Sequence, residues 1–271
     1  MLALYLTEAA VGCLIILLAV PPRAAGRKFF QLSVAMAAAL VLGGIGLEWP
    51  GDRSGTAVPW LFLACTACLL VAAGFFHLGR FAPGSFLMVT GLAAGLAGVI
   101  ADAIALIPST DVSGFSRLLY SLDAVTAGLV TGSVLMAMIL GHYYLNIPGL
   151  AIRYLQRLCL LCLGAIIARS LVVAIGVTLH RATLGPLVGL LLDTGSAAPP
   201  AGGVDPFVLV LLILQVAFGL LAPLAFTFMA WRTARIASTQ SATGILYVAL
   251  IAVIIGELTG RYLVTLTHLP L

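Results

Sequence analysis

Charged residues are scarce in this chain: 13 Lys and Arg and 9 Asp and Glu make up only 8% of its 271 residues. Soluble domains are about 25% charged and about 45–50% apolar. Here the apolar share is 62% and the mean hydropathy is +1.21. So few charged side chains would not cover a water-exposed globule of this size, which excludes a soluble enzyme. The basic residues form short clusters between apolar runs, so nucleic acid is not an expected partner.

Motifs of common soluble enzymes are also missing. The chain has no glycine-rich phosphate loop followed by lysine, no HExxH zinc motif and no GxSxG nucleophile elbow. No apolar run carries arginine at every third position, which excludes a voltage-sensor helix.

Long apolar runs are abundant. A membrane-spanning helix needs about 20 mostly apolar residues, and the first run, which starts at Leu2 without a basic lead, is expected to be a retained helix. The sequence therefore predicts an all-α fold, a polytopic integral membrane protein in which residues 1–271 form one bundle without a soluble domain. The eight predicted transmembrane helices cover about 3–20, 29–47, 57–76, 85–107, 118–141, 155–179, 207–230 and 243–264.

The basic residues also predict an orientation, because cytoplasmic loops of membrane proteins are enriched in Lys and Arg. With the N-terminus outside, inner loops hold eight of the 13 basic residues: Arg23, Arg27, Lys28, Arg80, Arg153, Arg157, Arg232 and Arg235. Both termini are then on the outer side, which is the periplasmic side of the cytoplasmic membrane if the host is a Gram-negative bacterium.

Six ionisable residues interrupt the apolar runs. Such a residue costs about 2.5–3.5 kcal/mol on insertion scales, so it usually faces the bundle interior and has a function. Five of the six are predicted in the outer third of the membrane, with Arg169 nearer the midplane. The six residues are Glu8, Asp102, Asp123, Arg169, Glu257 and Arg261.

These six groups do not balance in charge, since four carboxylates face two guanidiniums. Glu257 and Arg261 are four residues apart, which favours an ion pair on one helix face. The remaining candidate partners of Arg169 are Asp102, Asp123 and Glu8. An unpaired carboxylate in low dielectric takes up a proton, which suits quinol oxidation or proton-coupled transport. The alternative is that the charges only clamp helices together.

The four histidines lie at or beyond predicted helix ends, His77 and His142 on the inner side and His180 and His268 on the outer side. A buried b-type haem needs facing axial imidazoles within the apolar layer, so haem b is less well supported than a quinone. His142 is a candidate inner proton port.

Cysteine and glycine are interpreted as packing residues. The CxxC spacings at 65–68 and 159–162 are at different depths, so no metal site is expected. Gly91, Gly95 and Gly98 form a small-residue face that allows close helix approach. Gln215 can hydrogen-bond across the bundle, and packing is again the default interpretation.

The last predicted helix contains the sequence Gly-Glu-Leu-Thr-Gly-Arg-Tyr at 256–262. This polar stretch, with eight helices and an outer layer of charge, resembles the haem-free membrane anchors of the polysulfide reductase and DMSO reductase type, which include NrfD-like proteins. The resemblance implies a quinol pocket near the side where an iron–sulfur or cytochrome partner docks. Only Glu257 and Arg261 compare by position with the polar last helix of that family.

The expected function is therefore that of a membrane anchor subunit of a respiratory redox complex, which exchanges electrons and protons with menaquinone or ubiquinone near the outer face. Arg169 and Arg261 would orient the quinone, and Tyr120 would hydrogen-bond one of its carbonyl groups. The expected proton-relaying acids are Glu8, Asp102, Asp123 and Glu257.

Other functions remain open. A proton-coupled small-solute transporter would also gather buried acids and arginines, and Pro223 is a candidate for the helix break that transporters often contain. A b-type haem cytochrome and a purely structural membrane subunit are the third possibilities.

Overall fold

The computed structural model describes residues 1–48, 57–107, 113–146, 150–179 and 206–267, and all regular structure in these ranges is helical. Seven helices in the described ranges are long and apolar enough to cross a membrane. The protein is therefore an all-helical integral membrane protein, as predicted.

The described ranges hold ten α-helices and one π-helical segment, and every predicted range overlaps a helix. The π segment, Gln215–Leu221, joins α8 to α9, so that Phe207–Arg235 forms one span. The α-helices are α1 (Leu2–Leu17), α2 (Pro22–Ala25), α3 (Arg27–Glu48), α4 (Val58–His77), α5 (Phe81–Ala105), α6 (Gly114–Asn146), α7 (Arg153–Leu179), α8 (Pro206–Leu214), α9 (Ala222–Arg235) and α10 (Thr239–Thr267).

Helix α1 lies inside the bundle. It has 16 residues, of which 13 are buried. At 1.5 Å per residue it is about 24 Å long, shorter than the hydrocarbon core of about 30 Å. The predicted count of eight spans thus comprises seven full-length spans and this short internal helix. Apolar side chains such as Trp60, Leu70 and Phe86 are exposed on the outer helices, where lipid would cover them.

Glycines bring the backbones of α1 and α6 into direct contact. A Cβ atom at Gly12 would overlap the carbonyl group of Gly128, and a Cβ atom at Gly128 would overlap the carbonyl group of Glu8. Small residues allow such close approach of membrane helices. This contact places Glu8 of α1 beside the α6 segment that carries Asp123.

The predicted small-residue face on α5 is confirmed. A Cβ atom at Gly91 would lie 3.2 Å from Cys68, and one at Gly95 would lie 3.0 Å from the Cys65 sulfur. Gly98 faces Phe62 in the same way. The cysteines of α4 therefore pack against α5.

Aromatic rings identify one end of the bundle. Phe30 stacks against Phe76 with ring centroids 5.3 Å apart, Phe76 lies 6.3 Å from Phe81, and Phe29 lies 5.7 Å from Tyr143. The start of α3, the end of α4, the start of α5 and the end of α6 are therefore together. We call this the aromatic end.

The π segment precedes Pro223. Proline has no N–H group, and its ring collides with the carbonyl group four residues earlier, which here belongs to Gly219. A wider turn relieves that collision, and the Ala222 N–H donates to the Ala217 carbonyl five residues back. Gly219 also packs directly on α10, because a Cβ atom at Gly256 would overlap the Gly219 backbone.

Candidate functional site

Five buried charged residues meet between α1, α6, α7 and α10. They lie about 9–15 Å, at 1.5 Å per residue, from the helix ends opposite the aromatic end. These five residues form ion pairs with one another, and their side chains are only 0–4% exposed to solvent. We call this group the charge cluster, and its members are Glu8, Asp123, Arg169, Glu257 and Arg261.

Arg169 joins two of the carboxylates. Its Nη1 atom donates to Asp123 Oδ1 and also to the Asp123 backbone carbonyl at 3.2 Å. On the other side, Nη2 lies 3.3 Å from Glu257 Oε2, and Nε donates to Glu257 Oε1 at 3.4 Å. The guanidinium group of α7 thus ties α6 to α10.

Arg261 contacts the remaining carboxylate. Its Nη2 atom lies 2.6 Å from Asp123 Oδ2 and donates to the Asp123 backbone carbonyl at 3.3 Å. Its Nε atom lies 3.3 Å from Glu8 Oε2. Asp123 therefore lies between two guanidinium groups, one from α7 and one from α10.

The ion-pair partners agree with the sequence prediction only in part: Arg169 pairs with Asp123, one of its three candidate partners. Glu257 pairs with Arg169, and Arg261 pairs with Asp123 and Glu8, whereas an i,i+4 pair between Glu257 and Arg261 was expected. An i,i+4 pair contributes only about 0.2–0.5 kcal/mol. Charge-assisted hydrogen bonds across buried helices are stronger, and close packing of α10 on α6 makes them available.

The cluster carries an excess negative charge, since three carboxylates face two guanidiniums. Glu8 has the weakest compensation, because its ion pair among the described residues is with Arg261 alone, and neither Oε2 nor the facing Nε makes a hydrogen bond there. An uncompensated charge is costly inside a bundle. A proton bound to one carboxyl group would make the cluster neutral.

Asp102 and Tyr120 are buried near the cluster's side of the bundle but belong to none of these ion pairs. Asp102 is three residues from the end of α5, and Tyr120 is six residues from the start of α6. Both are closer to that end of the bundle than Asp123. The structure thus unites five of the six predicted ionisable residues.

The two histidines that were predicted on the inner side lie far from the cluster. His142 is exposed near the end of α6 and is 19 residues, or about 28 Å, from Asp123. Exposed His77 has its Nδ1 atom 3.3 Å from Gln31 Oε1. His180 and His268 lie outside the described residues. In the ranges that the structure describes, no group of three or more His, Cys, Asp and Glu side chains is arranged to hold a metal ion.

One residue near the cluster, Tyr5, was not singled out in the sequence. Tyr5 is buried on α1, one turn before Glu8, and lies beside Thr131 of α6. Their hydroxyl groups extend polar surface from the cluster along the α1–α6 contact. The sequence did offer a signal for Tyr5: it is three residues before Glu8, which places both side chains on one face of the helix.

Gln215 is buried, in agreement with its default interpretation as a packing residue. Within the described part of the chain, however, neither Nε2 nor Oε1 has a hydrogen-bond partner. The hydrogen bond that this amide could make across the bundle is therefore not observed. The amide lies against Gly260 of α10, next to Arg261.

The site thus consists of buried ion pairs with one surplus carboxylate and, beside them, an amide that has no hydrogen-bond partner among the described residues. Comparisons with protein-family models, with curated proteins and with solved structures found no match to this chain.

Proposed function

We propose that this integral membrane protein exchanges protons with a quinone or quinol at the charge cluster, as the membrane anchor subunit of a respiratory redox complex. The observation that carries the proposal is the buried surplus of one carboxylate among Glu8, Asp123, Glu257, Arg169 and Arg261. Membrane proteins retain such costly groups where protons or substrates are handled.

Quinol oxidation releases two electrons and two protons and leaves a quinone. The electrons would pass to a redox-active partner subunit, an iron–sulfur or cytochrome protein, docked at the cluster's end of the bundle. One proton would go to Glu8, the least compensated carboxylate, and the second would leave by way of Asp102, while Arg169 and Arg261 hold the other acids in place. Asp102 and Tyr120, nearer that end, would carry protons outward.

The proposed orientation places the cluster on the outer side of the membrane. Basic residues concentrate at the aromatic end, and this end should face the cytoplasm by the positive-inside rule. Those residues are Arg27, Lys28, Arg80, Arg153, Arg157, Arg232 and Arg235. Both termini would then lie outside, on the periplasmic side in a bacterium.

A proton-coupled solute transporter is the second candidate. The observation in its favour is the π segment before Pro223, which interrupts the regular hydrogen bonding of a spanning helix beside α10. Interrupted helices form the substrate sites of many transporters. In that case the cluster would bind a proton that drives solute movement, and quinones would not bind.

Binding of a short-chain quinol analogue to the purified protein in lipid nanodiscs tests the proposal. We expect saturable binding that the double variant Glu257→Gln, Arg261→Ala weakens at least about tenfold, a loss of about 1.4 kcal/mol. The matched control is Glu48→Gln, Arg157→Ala, which changes one acid and one arginine outside the cluster. Unchanged binding in a folded cluster variant would contradict the proposal.

A further inference from the structure

Gln215 is a buried amide with both hydrogen-bonding atoms available. Its side chain is 2% exposed, and Nε2 and Oε1 lack partners among the described residues. Gln156 of α7, by contrast, donates its Nε2 proton to the Ala234 carbonyl at 3.1 Å. Burying an amide without a hydrogen bond is unfavourable, so an unpaired one inside a bundle indicates a missing partner.

The surroundings of this amide point to a ligand site. Gln215 is the first residue of the π segment, and π-helical turns occur often at functional sites. A Cβ atom at Gly260 would lie 2.8 Å from Gln215 Nε2, so the absence of a side chain at Gly260 leaves room for the amide. Gly260 precedes Arg261, which places the amide beside the charge cluster.

We infer that the Gln215 amide binds a ring oxygen of the quinone and of the quinol, an inference that rests on the proposed function. A quinone carbonyl oxygen accepts a hydrogen bond from Nε2, whereas a quinol hydroxyl donates to Oε1. One amide group therefore serves both redox forms. A lysine or a carboxylate in the same place would favour only one of them.

The position of Gln215 would also bring a bound ring oxygen close enough to the charge cluster for proton transfer. Gly256 and Gly260 allow α10 to pack against the π segment. Glu257 directly follows Gly256 in the sequence, and Arg261 directly follows Gly260. A ring oxygen held by Gln215 is thus next to the helix that supplies a carboxylate and a guanidinium. Proton transfer between quinol and cluster then needs only a short path.

The test compares Gln215→Met with Gln156→Met in lipid nanodiscs, using a short-chain ubiquinone analogue in its oxidised and reduced forms as probes. Methionine keeps the length of the side chain and removes both hydrogen-bonding atoms. We expect Gln215→Met to raise the Kd of each redox form about tenfold, as expected for one lost hydrogen bond. Gln156→Met, at the other end of the bundle, should bind like the wild type.

Gly260→Ala is the second variant, because its methyl group displaces the Gln215 amide without removing it. It should also weaken both probes. Wild-type affinity in folded Gln215→Met and Gly260→Ala proteins would overturn the inference and leave the proposed function standing. A wild-type protein that binds neither redox form would overturn the proposed function, and the inference with it.

Discussion

Arg169 and Glu257 form a buried ion pair between α7 and α10, with Nη2 3.3 Å from Oε2 and both side chains at most 2% exposed. The same guanidinium group binds Asp123 of α6. Three helices that are distant in sequence are thus held together by one side chain. Removing it would take away the ion-pair partner of Glu257 and leave Asp123 with Arg261.

Replacement of Arg169 should destabilise the protein more than replacement of any exposed arginine. Breaking a buried pair costs about 3–5 kcal/mol, because the remaining charges stay buried. We expect Arg169→Gln to lower the thermal unfolding temperature in detergent strongly, whereas Arg157→Gln, on the exposed face of the same helix, leaves it nearly unchanged. Equal effects of the two variants would show that the cluster contributes no stability.

The three acids of the cluster should differ in their effect on stability. Glu8→Gln removes the surplus negative charge, so we expect wild-type stability or a slight gain at neutral pH. Asp123→Asn removes the carboxylate that pairs with both Arg169 and Arg261, and should cost about 3 kcal/mol or more. Thermal unfolding of both variants in the same detergent checks this order, and a reversed order would contradict our charge assignment.

The α1–α6 contact should not tolerate a methyl group. A Cβ atom at Gly128 would overlap the Glu8 carbonyl, and two backbones cannot move apart without separating the helices. We expect Gly128→Ala to reduce the yield of folded protein in size-exclusion chromatography. Gly164→Ala is the control, because a Cβ atom there has nothing within 4 Å and alanine stabilises a helix by about 0.5–1 kcal/mol over glycine.

Gln215→Met should raise stability while it weakens probe binding. An unsatisfied buried polar group costs about 1–3 kcal/mol, and an apolar group of similar shape avoids this cost. We expect a higher unfolding temperature for the variant without added quinone. A lower temperature would mean that the amide makes a structural hydrogen bond, which would argue against a binding role.

Much of the fold could be predicted from the sequence, because the hydropathy and the length of an apolar run indicate directly whether it forms a membrane-spanning helix. Each predicted range overlaps a helix, and the depth of the ionisable residues was sufficient to group Glu8, Asp123, Glu257 and Arg261. The length of α1 was less predictable. Its run of apolar residues does not distinguish a lipid-facing span from a short helix buried among others.

From the sequence, Asp123 was only one of three candidate partners of Arg169, and the other ion pairs were not predicted, because depth along a helix says nothing about which helices are neighbours. The order around the bundle is set by backbone contacts such as those of Gly128 with Glu8 and of Gly256 with Gly219. A local i,i+4 rule could not find the contact between Arg169 and Glu257, which are 88 residues apart. The unpaired state of Gln215 likewise depends on neighbours supplied by the fold.

The central claim is that the charge cluster binds and releases a proton inside the membrane. Infrared difference spectroscopy of the protein in lipid, between acidic and alkaline pH, detects the carbonyl stretching band of a protonated carboxyl group. We predict such a band in the wild type and in the control Glu48→Gln, and its loss in Glu8→Gln. A wild-type band that persists unchanged in Glu8→Gln, or no band at all, would contradict the account.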